Sequence, residues 1–141
     1  MVNKTLDALT VALHAKFGDE YHYYVENVPQ NIQLPAFTVD LLNPLMRSES
    51  AVTYFRTMPV VIHFFSADKV TNKHTCYAVG EQALEALEYI TIDGRLHRGE
   101  NMELNMVEDV LQILITYRFW TETKNEPTYM EDLEGINVNG Q

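Results

Sequence analysis

The chain has 141 residues, 46% of them apolar, with 20 acidic against 10 basic side chains and a formal net charge of -10. This is length and apolar content enough for one buried core without disulfide or metal staples, while the acidity disfavours counterion-release binding to nucleic acid as the main activity. The single Cys76 excludes an intramolecular disulfide and every multi-cysteine zinc pattern; it fits a reducing compartment and reads as a small buried apolar residue. No stretch reaches the ~20 apolar residues of a membrane span. The start, Val2 followed by polar Asn3-Lys4-Thr5, lacks the apolar run of a secretory signal, so synthesis in the cytosol is expected.

Asn3-Lys4-Thr5 matches a glycosylation sequon but reads better as a helix start with a capping side chain. Leu6, Leu9, Leu13 and Phe17 follow at helical spacing and stop at Gly18, predicting an amphipathic helix that packs by one stripe. Tyr21 to Asn27 predicts a strand, and Phe37, Val39 and Leu41 alternate in a second that ends at Asn43-Pro44. Residues 43–53 read as a projecting loop around Met46 and Arg47. The apolar run Tyr54 to Phe65 predicts a long strand, in which Pro59 argues for an edge position or a bulge because it has no N–H for a ladder.

A second helix is expected from Asn72 to Tyr89, burying Cys76, Val79, Ala83, Leu84 and Leu87 and wetting Glu81, Glu85 and Glu88. From Tyr89 to Thr121 two hairpins follow, a short one turning at Asp93-Gly94 and a long one at Glu108-Asp109. With the latter two as the loop, Met106 faces Leu111, Leu104 faces Ile113, Met102 faces Ile115, and Asn105 faces Gln112 on the other side. The last strand also sets Val110, Leu114 and Trp120 among Gln112, Thr116 and Arg118, so its second face asks for a partner.

The expected fold is therefore α+β: a mainly antiparallel sheet packed by two helices in the order α-β-β-β-α-β-β-β, one domain over residues 1–121. Residues 122–141 read as an acidic tail, holding Glu122, Glu126, Glu131, Asp132 and Glu134 against Lys124. Within it, Thr128 and Glu131 have capping-box spacing, predicting a short helix near 128–134 with Tyr129, Met130 and Leu133 as its apolar face.

The chemistry-bearing residues form no reaction centre. His14, His22, His63, His74 and His97 include no i, i+4 helical pair and no i, i+2 strand pair, so a metal site is not expected. Gly80, Gly94 and Gly99 fit neither a phosphate loop nor a dinucleotide fingerprint, and no Ser stands in a Gly-x-Ser-x-Gly context. Glu108-Asp109 and Glu131-Asp132 read as solvated charge. No catalytic residue, cofactor or metal is assigned, and the chain is not expected to be an enzyme. The aromatic excess, eight Tyr and six Phe, is mostly core with some docking anchors, and sequence does not separate the two groups.

A family is suggested by the order of short segments: Phe17-Gly18-Asp19, Tyr24-Val25-Glu26-Asn27-Val28, Leu41-Leu42-Asn43-Pro44 and Tyr54-Phe55-Arg56-Thr57. Leu87-Glu88-Tyr89-Ile90, Asp93-Gly94 and Arg98-Gly99-Glu100-Asn101-Met102 follow. Together, over about residues 1–135, they resemble the phage tail terminator family of tail-completion proteins. The resemblance implies an α/β domain with helices on a mainly antiparallel sheet, copies joined in a ring, typically sixfold, on the last ring of a tail tube. It further implies a structural protein of the virion tail, or of a phage tail-like particle, that stops tube growth and presents a surface for a head connector or collar.

The partners so implied are the chain itself, the tail tube protein, and the sheath and connector or collar proteins, with DNA passing unbound and no membrane involved. A heterologous ring needs two different patches per subunit. Candidates are Met46, Arg47, Tyr54, Phe55 and Arg56 with the edge at Pro59 as one, and Gln112, Leu114, Arg118 and Trp120 as the other; Tyr129, Met130 and Leu133 are tail candidates. The alternative reading is a small acidic adaptor or DNA mimic that binds a basic partner protein.

Overall fold

The computed structural model describes residues 1–26 and 28–122. Its elements run α1 (Val2–Phe17), a 3-10 turn (Gly18–Glu20), β1 (His22–Val25), β2 (Ala36–Leu41), β3 (Leu45–Ser48) and β4 (Thr53–Phe65). Then come α2 (Lys73–Leu87), β5 (Tyr89–Ile92), β6 (Arg95–Val107) and β7 (Val110–Glu122). The strands make one seven-stranded sheet in the order β1-β2-β4-β7-β6-β5, with β3 pairing β4 off that path. The sheet is mixed but mostly antiparallel: β1 runs parallel to β2, while β2–β4, β5–β6 and β6–β7 are antiparallel. The expected α+β class is thus what the chain adopts. One strand is added, because part of the loop expected over 43–53 is β3.

The described residues divide into two compact units, Met1–Leu45 with Arg56–Phe119, and Met46–Phe55 with Trp120 to Glu122. The larger holds the core. Leu6, Leu9 and Leu13 of α1 are buried as their spacing predicts, and so are Cys76, Val79, Ala83 and Leu87 of α2. They close over Phe37 and Val39 of β2, Met58, Val60, Ile62 and Phe64 of β4, and Leu111, Ile113, Ile115 and Tyr117 of β7. Phe37 is wholly buried, with Phe17, Tyr21, Tyr23 and Phe64 rings within 4.9 to 6.0 Å of its own. Offset and tilted ring pairs of this kind add about 0.5–1.5 kcal/mol each beyond burial.

Helix ends follow local chemistry only in part. Asn72 caps α2 with its side-chain oxygen accepting from the Thr75 N–H. At α1 the expected cap at Asn3 is not used: the helix starts at Val2 with no side-chain cap, and buried Thr5 donates its hydroxyl to the Met1 carbonyl at 2.9 Å. The apolar stripe needs Thr5 and Leu6 inside the first turns, which moves the start ahead of Asn3. The first strand is shorter than expected and ends at Val25, with Glu26 at φ 65°; Asn27 lies outside the described residues.

Both turns lie where expected. Asp93 and Gly94 have φ 52° and 77°, the paired positive values of a two-residue type I′ connection that matches strand twist. Val107 pairs with Val110 across Glu108-Asp109, Met106 with Leu111, Leu104 with Ile113 and Asn105 with Gln112. Toward the other end the register shifts between Glu100 and Glu103. The expected Met102–Ile115 pair is replaced there by a bulge at Asn101, φ 53°, and Met102 is partly exposed. A Cβ on Gly99 would lie 2.2 Å from Ile115 Cδ1, so any side chain there would force the buried Ile115 to shift.

Pro59 lies on a central strand and not at an edge, since β4 has β2 on one side and β7 on the other. It is tolerated because β2 has just ended: Leu41 pairs with Val60, and the Leu42 N–H donates to the Pro59 carbonyl at 2.8 Å. The N–H that Pro lacks would be required only if that ladder continued. The last strand, β7, runs through Glu122. The helix expected near 128–134 lies outside the described residues.

Candidate assembly surface

The smaller unit is built around the β3–β4 hairpin. Its tip is closed by short polar side chains: the Val52 and Thr53 N–H groups donate to Ser50 Oγ at 3.3 and 3.1 Å, and Ser48 Oγ donates to the Ser50 carbonyl at 3.1 Å. The Glu49 N–H donates to the Thr53 carbonyl at 2.9 Å. Serine hydroxyls standing in for backbone partners are what make Ser48-Glu49-Ser50 a turn. Arg47 pairs with Glu49 through Nε and places its guanidinium 5.2 Å from the centre of the Phe55 ring. Phe55 in turn packs on Trp120 at 4.8 Å with the rings tilted by 58°.

Arg47, Phe55 and Trp120 thus form one cation and two rings on a surface, an arrangement worth roughly 0.5–1 kcal/mol per cation–ring contact at exposed sites. Trp120 remains 55% exposed and Met46 56%. Tyr54 is half-buried in β4. Trp120, grouped from sequence with Gln112, Leu114 and Arg118, therefore belongs with the hairpin residues.

The other sequence-selected residues sit on the larger unit. Arg56 is half-buried in β4. Gln112 and Leu114 are half-buried and Arg118 exposed along one face of β7, alternating with buried Leu111, Ile113, Ile115, Tyr117 and Phe119. Arg118 pairs with Glu100 on β6 at 2.7 Å, a surface bridge of small net value. Gln112 Nε2 lies 3.4 Å from His63 Nε2, and Thr38 Oγ1 lies 3.4 Å from His63 Nδ1, so a polar row crosses β2, β4 and β7. Burial lowers the His63 pKa below its ordinary value, with Asp40 opposing, so the ring is neutral at pH 7. Tyr129, Met130 and Leu133 lie outside the described residues.

Sequence reasoning missed two features. Leu45 was lost in what read as a loop, although apolar Leu45 and Met46 after Asn43-Pro44 were the available signal. The second is a groove of about 420 Å³ between α1 and β5, walled by Ala8, Val11 and Ala12 on the helix and Tyr89, Ile90 and Ile92 on the strand. Val11 stands off the Leu6-Leu9-Leu13 stripe and is 68% exposed. Among the described residues no group of three His, Cys, Asp or Glu side chains could hold a metal ion, and no helix is long and apolar enough to cross a membrane.

The chain thus folds as two helices on a mixed, mostly antiparallel seven-stranded sheet, with apolar residues on an exposed hairpin. The model of the phage tail terminator protein family matches residues 5–129, and the chain belongs to that family. Its role is structural, in the virion tail. A solved chain from the virion of a native gene transfer agent particle is similar in fold, with a TM-score of 0.53 and 17% identity over 83% of this chain and 93% of that one. A second solved chain, with a TM-score of 0.42 and 9% identity over 83% and 94% of the two chains, adds nothing to the argument. Comparison with curated proteins gave no match.

Proposed function

We propose that copies of this chain close as a ring, sixfold by family resemblance, on the last ring of a tail tube. The ring halts growth, fixes tail length and offers the attachment surface for a head connector, or for a collar in a headless particle. Tube protein and further copies of the chain are its direct partners, with sheath and connector or collar proteins beyond them, and the role requires no catalytic residue, cofactor or metal. The observation that carries this reading is the Arg47–Phe55–Trp120 cluster with exposed Met46. Aromatic and arginine side chains held on a surface are the anchors that protein interfaces favour. A net charge of -10 per copy suits a ring through which DNA passes, since an acidic wall does not hold phosphates.

The test is negative-stain microscopy of the tail tube protein polymerising with and without this chain. Because one ring serves one tube, amounts far below the tube protein should shorten tubes and leave an extra ring of density at one tip. Unchanged lengths with bare tips would overturn the proposal. Strongly salt-dependent capture of a basic nucleic-acid-binding protein would then favour the acidic adaptor.

A further inference from the structure

Ile62 and Phe64 of β4 are buried in the core, so His63 between them projects from the opposite face of the sheet. There it touches a polar side chain on each neighbouring strand. Thr38 Oγ1 of β2 lies 3.4 Å from its Nδ1, and Gln112 Nε2 of β7 lies 3.4 Å from its Nε2. The three side chains line a cavity of about 580 Å³ with Val28, Phe65 and Val110. We propose that they form a proton-operated hydrogen-bond switch. With the His63 imidazole neutral, Gln112 turns its amide nitrogen to the imidazole and its oxygen to the cavity; with the imidazole protonated, the amide turns over and offers its nitrogen to the cavity.

Donor and acceptor arithmetic requires the two positions. A neutral imidazole has one N–H and one bare nitrogen. Nε2 faces an amide nitrogen, which can only donate, so Nε2 is the bare nitrogen and Nδ1–H donates to the Thr38 hydroxyl oxygen. Uptake of a proton at Nε2 makes both nitrogens donors. Thr38 still accepts, but across the other contact two N–H groups now oppose each other with no acceptor between them. Half a turn about the last torsion of Gln112, whose preference is broad and roughly two-fold, puts Oε1 in that place and restores the bond. The cavity therefore meets an acceptor from Gln112 above the His63 transition and a donor below it.

The surroundings set which position holds at neutral pH. Asp40 of β2 favours the imidazolium, and Glu108 and Asp109 of the turn before β7 line the same cavity. All three carboxylates are exposed, so water and salt screen their pull. Beyond β2, His22 and Tyr24 of β1 lie in register with Ala36 and Thr38, while β6 sets uncharged Asn105 opposite Gln112. Phe65 places its ring 6.4 Å from that of His63. Burial among these groups outweighs Asp40 and disfavours the imidazolium. The Gln112 N–H adds to this, because a donor aimed at Nε2 stabilises only the neutral form.

The test is nuclear magnetic resonance of the full ¹⁵N-labelled chain, titrated across the ordinary histidine value of about 6.5. Gln112→Met, similar in size but without a donor, assigns the Gln112 amide signals by their absence. Long-range proton–nitrogen correlations should show His63 as the Nδ1–H tautomer at the alkaline end. The Gln112 side-chain amide signals should then move along the His63 titration curve. In Gln112→Met, with an unchanged circular dichroism spectrum, the His63 pKa should rise by about 0.4–1 unit, the equivalent of one lost hydrogen bond to the neutral form. An Nε2–H tautomer at the alkaline end would overturn the proposal. So would Gln112 amide signals that stay in place while His63 titrates, or a folded Gln112→Met chain whose His63 titrates as before.

Discussion

Phe37 and Trp120 are both large aromatic residues on strands of this protein, and the fold treats them in opposite ways. Phe37 has no exposed surface and sits among four rings from α1, β1 and β4 or their flanks. Trp120 has one ring neighbour, Phe55, and keeps more than half of its surface in water. Burial of the first kind stabilises the folded chain by roughly 1.5–3 kcal/mol per side chain, and the second forgoes most of that. The larger unit therefore carries stability, and the hairpin unit carries surface that folding does not require.

The contrast can be broken from the core side first. Leu9 is wholly buried, so Leu9→Ala should cost about 2–5 kcal/mol, read as a lower urea midpoint, and assembly should fail only because the chain unfolds. Next comes Tyr117→Phe. The buried Tyr117 hydroxyl donates to the Leu87 carbonyl at 2.5 Å at the end of α2, and burial raises its pKa above the ordinary tyrosine value. Removing the hydroxyl leaves that carbonyl without this donor, so a loss of about 1–3 kcal/mol is expected in the same assay.

From the hairpin side the effect on stability is smaller and that on assembly larger. Trp120→Ala removes one exposed ring pair, so the urea midpoint should move by about 1 kcal/mol or less while ring formation, followed by sedimentation, is lost. A Trp120→Ala chain that assembles normally would remove that residue from the interface.

The smallest effect is that of pH. Burial lowers the pKa of His63 and of His97, whose ring lies 4.5 Å from Phe119 and which Arg95 lowers further. Both depressed values mean that the folded state prefers neutral rings. Their contribution is present above the unfolded histidine pKa of about 6.5 and is lost as pH falls through the lower folded values. Melting temperatures at pH 7 and pH 5 should therefore differ less in His63→Gln than in the unsubstituted chain. Equal differences would remove His63 from this account.

Much of the larger unit was legible in the sequence because its signals are periodic. The leucine stripe of α1 and the register set by Glu108-Asp109 each follow from one repeat and one turn. What was not legible depends on neighbours distant in sequence. The parallel placement of β1, the tolerance of Pro59 where β2 ends, and the bulge at Asn101 are set by which strands happen to lie alongside. The hairpin was half legible. Met46, Arg47, Phe55 and Trp120 could be named as surface candidates, but that Trp120 packs with Phe55 is a tertiary fact. The groove between α1 and β5 gave no signal, since Ala8, Val11 and Ala12 read as ordinary helix formers until an edge strand stands beside them.

The most direct test of the division between a stabilising core and an assembling hairpin is microscopy of tail tubes grown with the unsubstituted chain and with Met46→Asp. Met46 is exposed, so the variant should melt at the same temperature as the unsubstituted chain. The account predicts short tubes ringed at one tip with the unsubstituted chain, and long tubes with bare tips with the variant. A folded Met46→Asp chain that shortens and rings tubes as well as the original would contradict it.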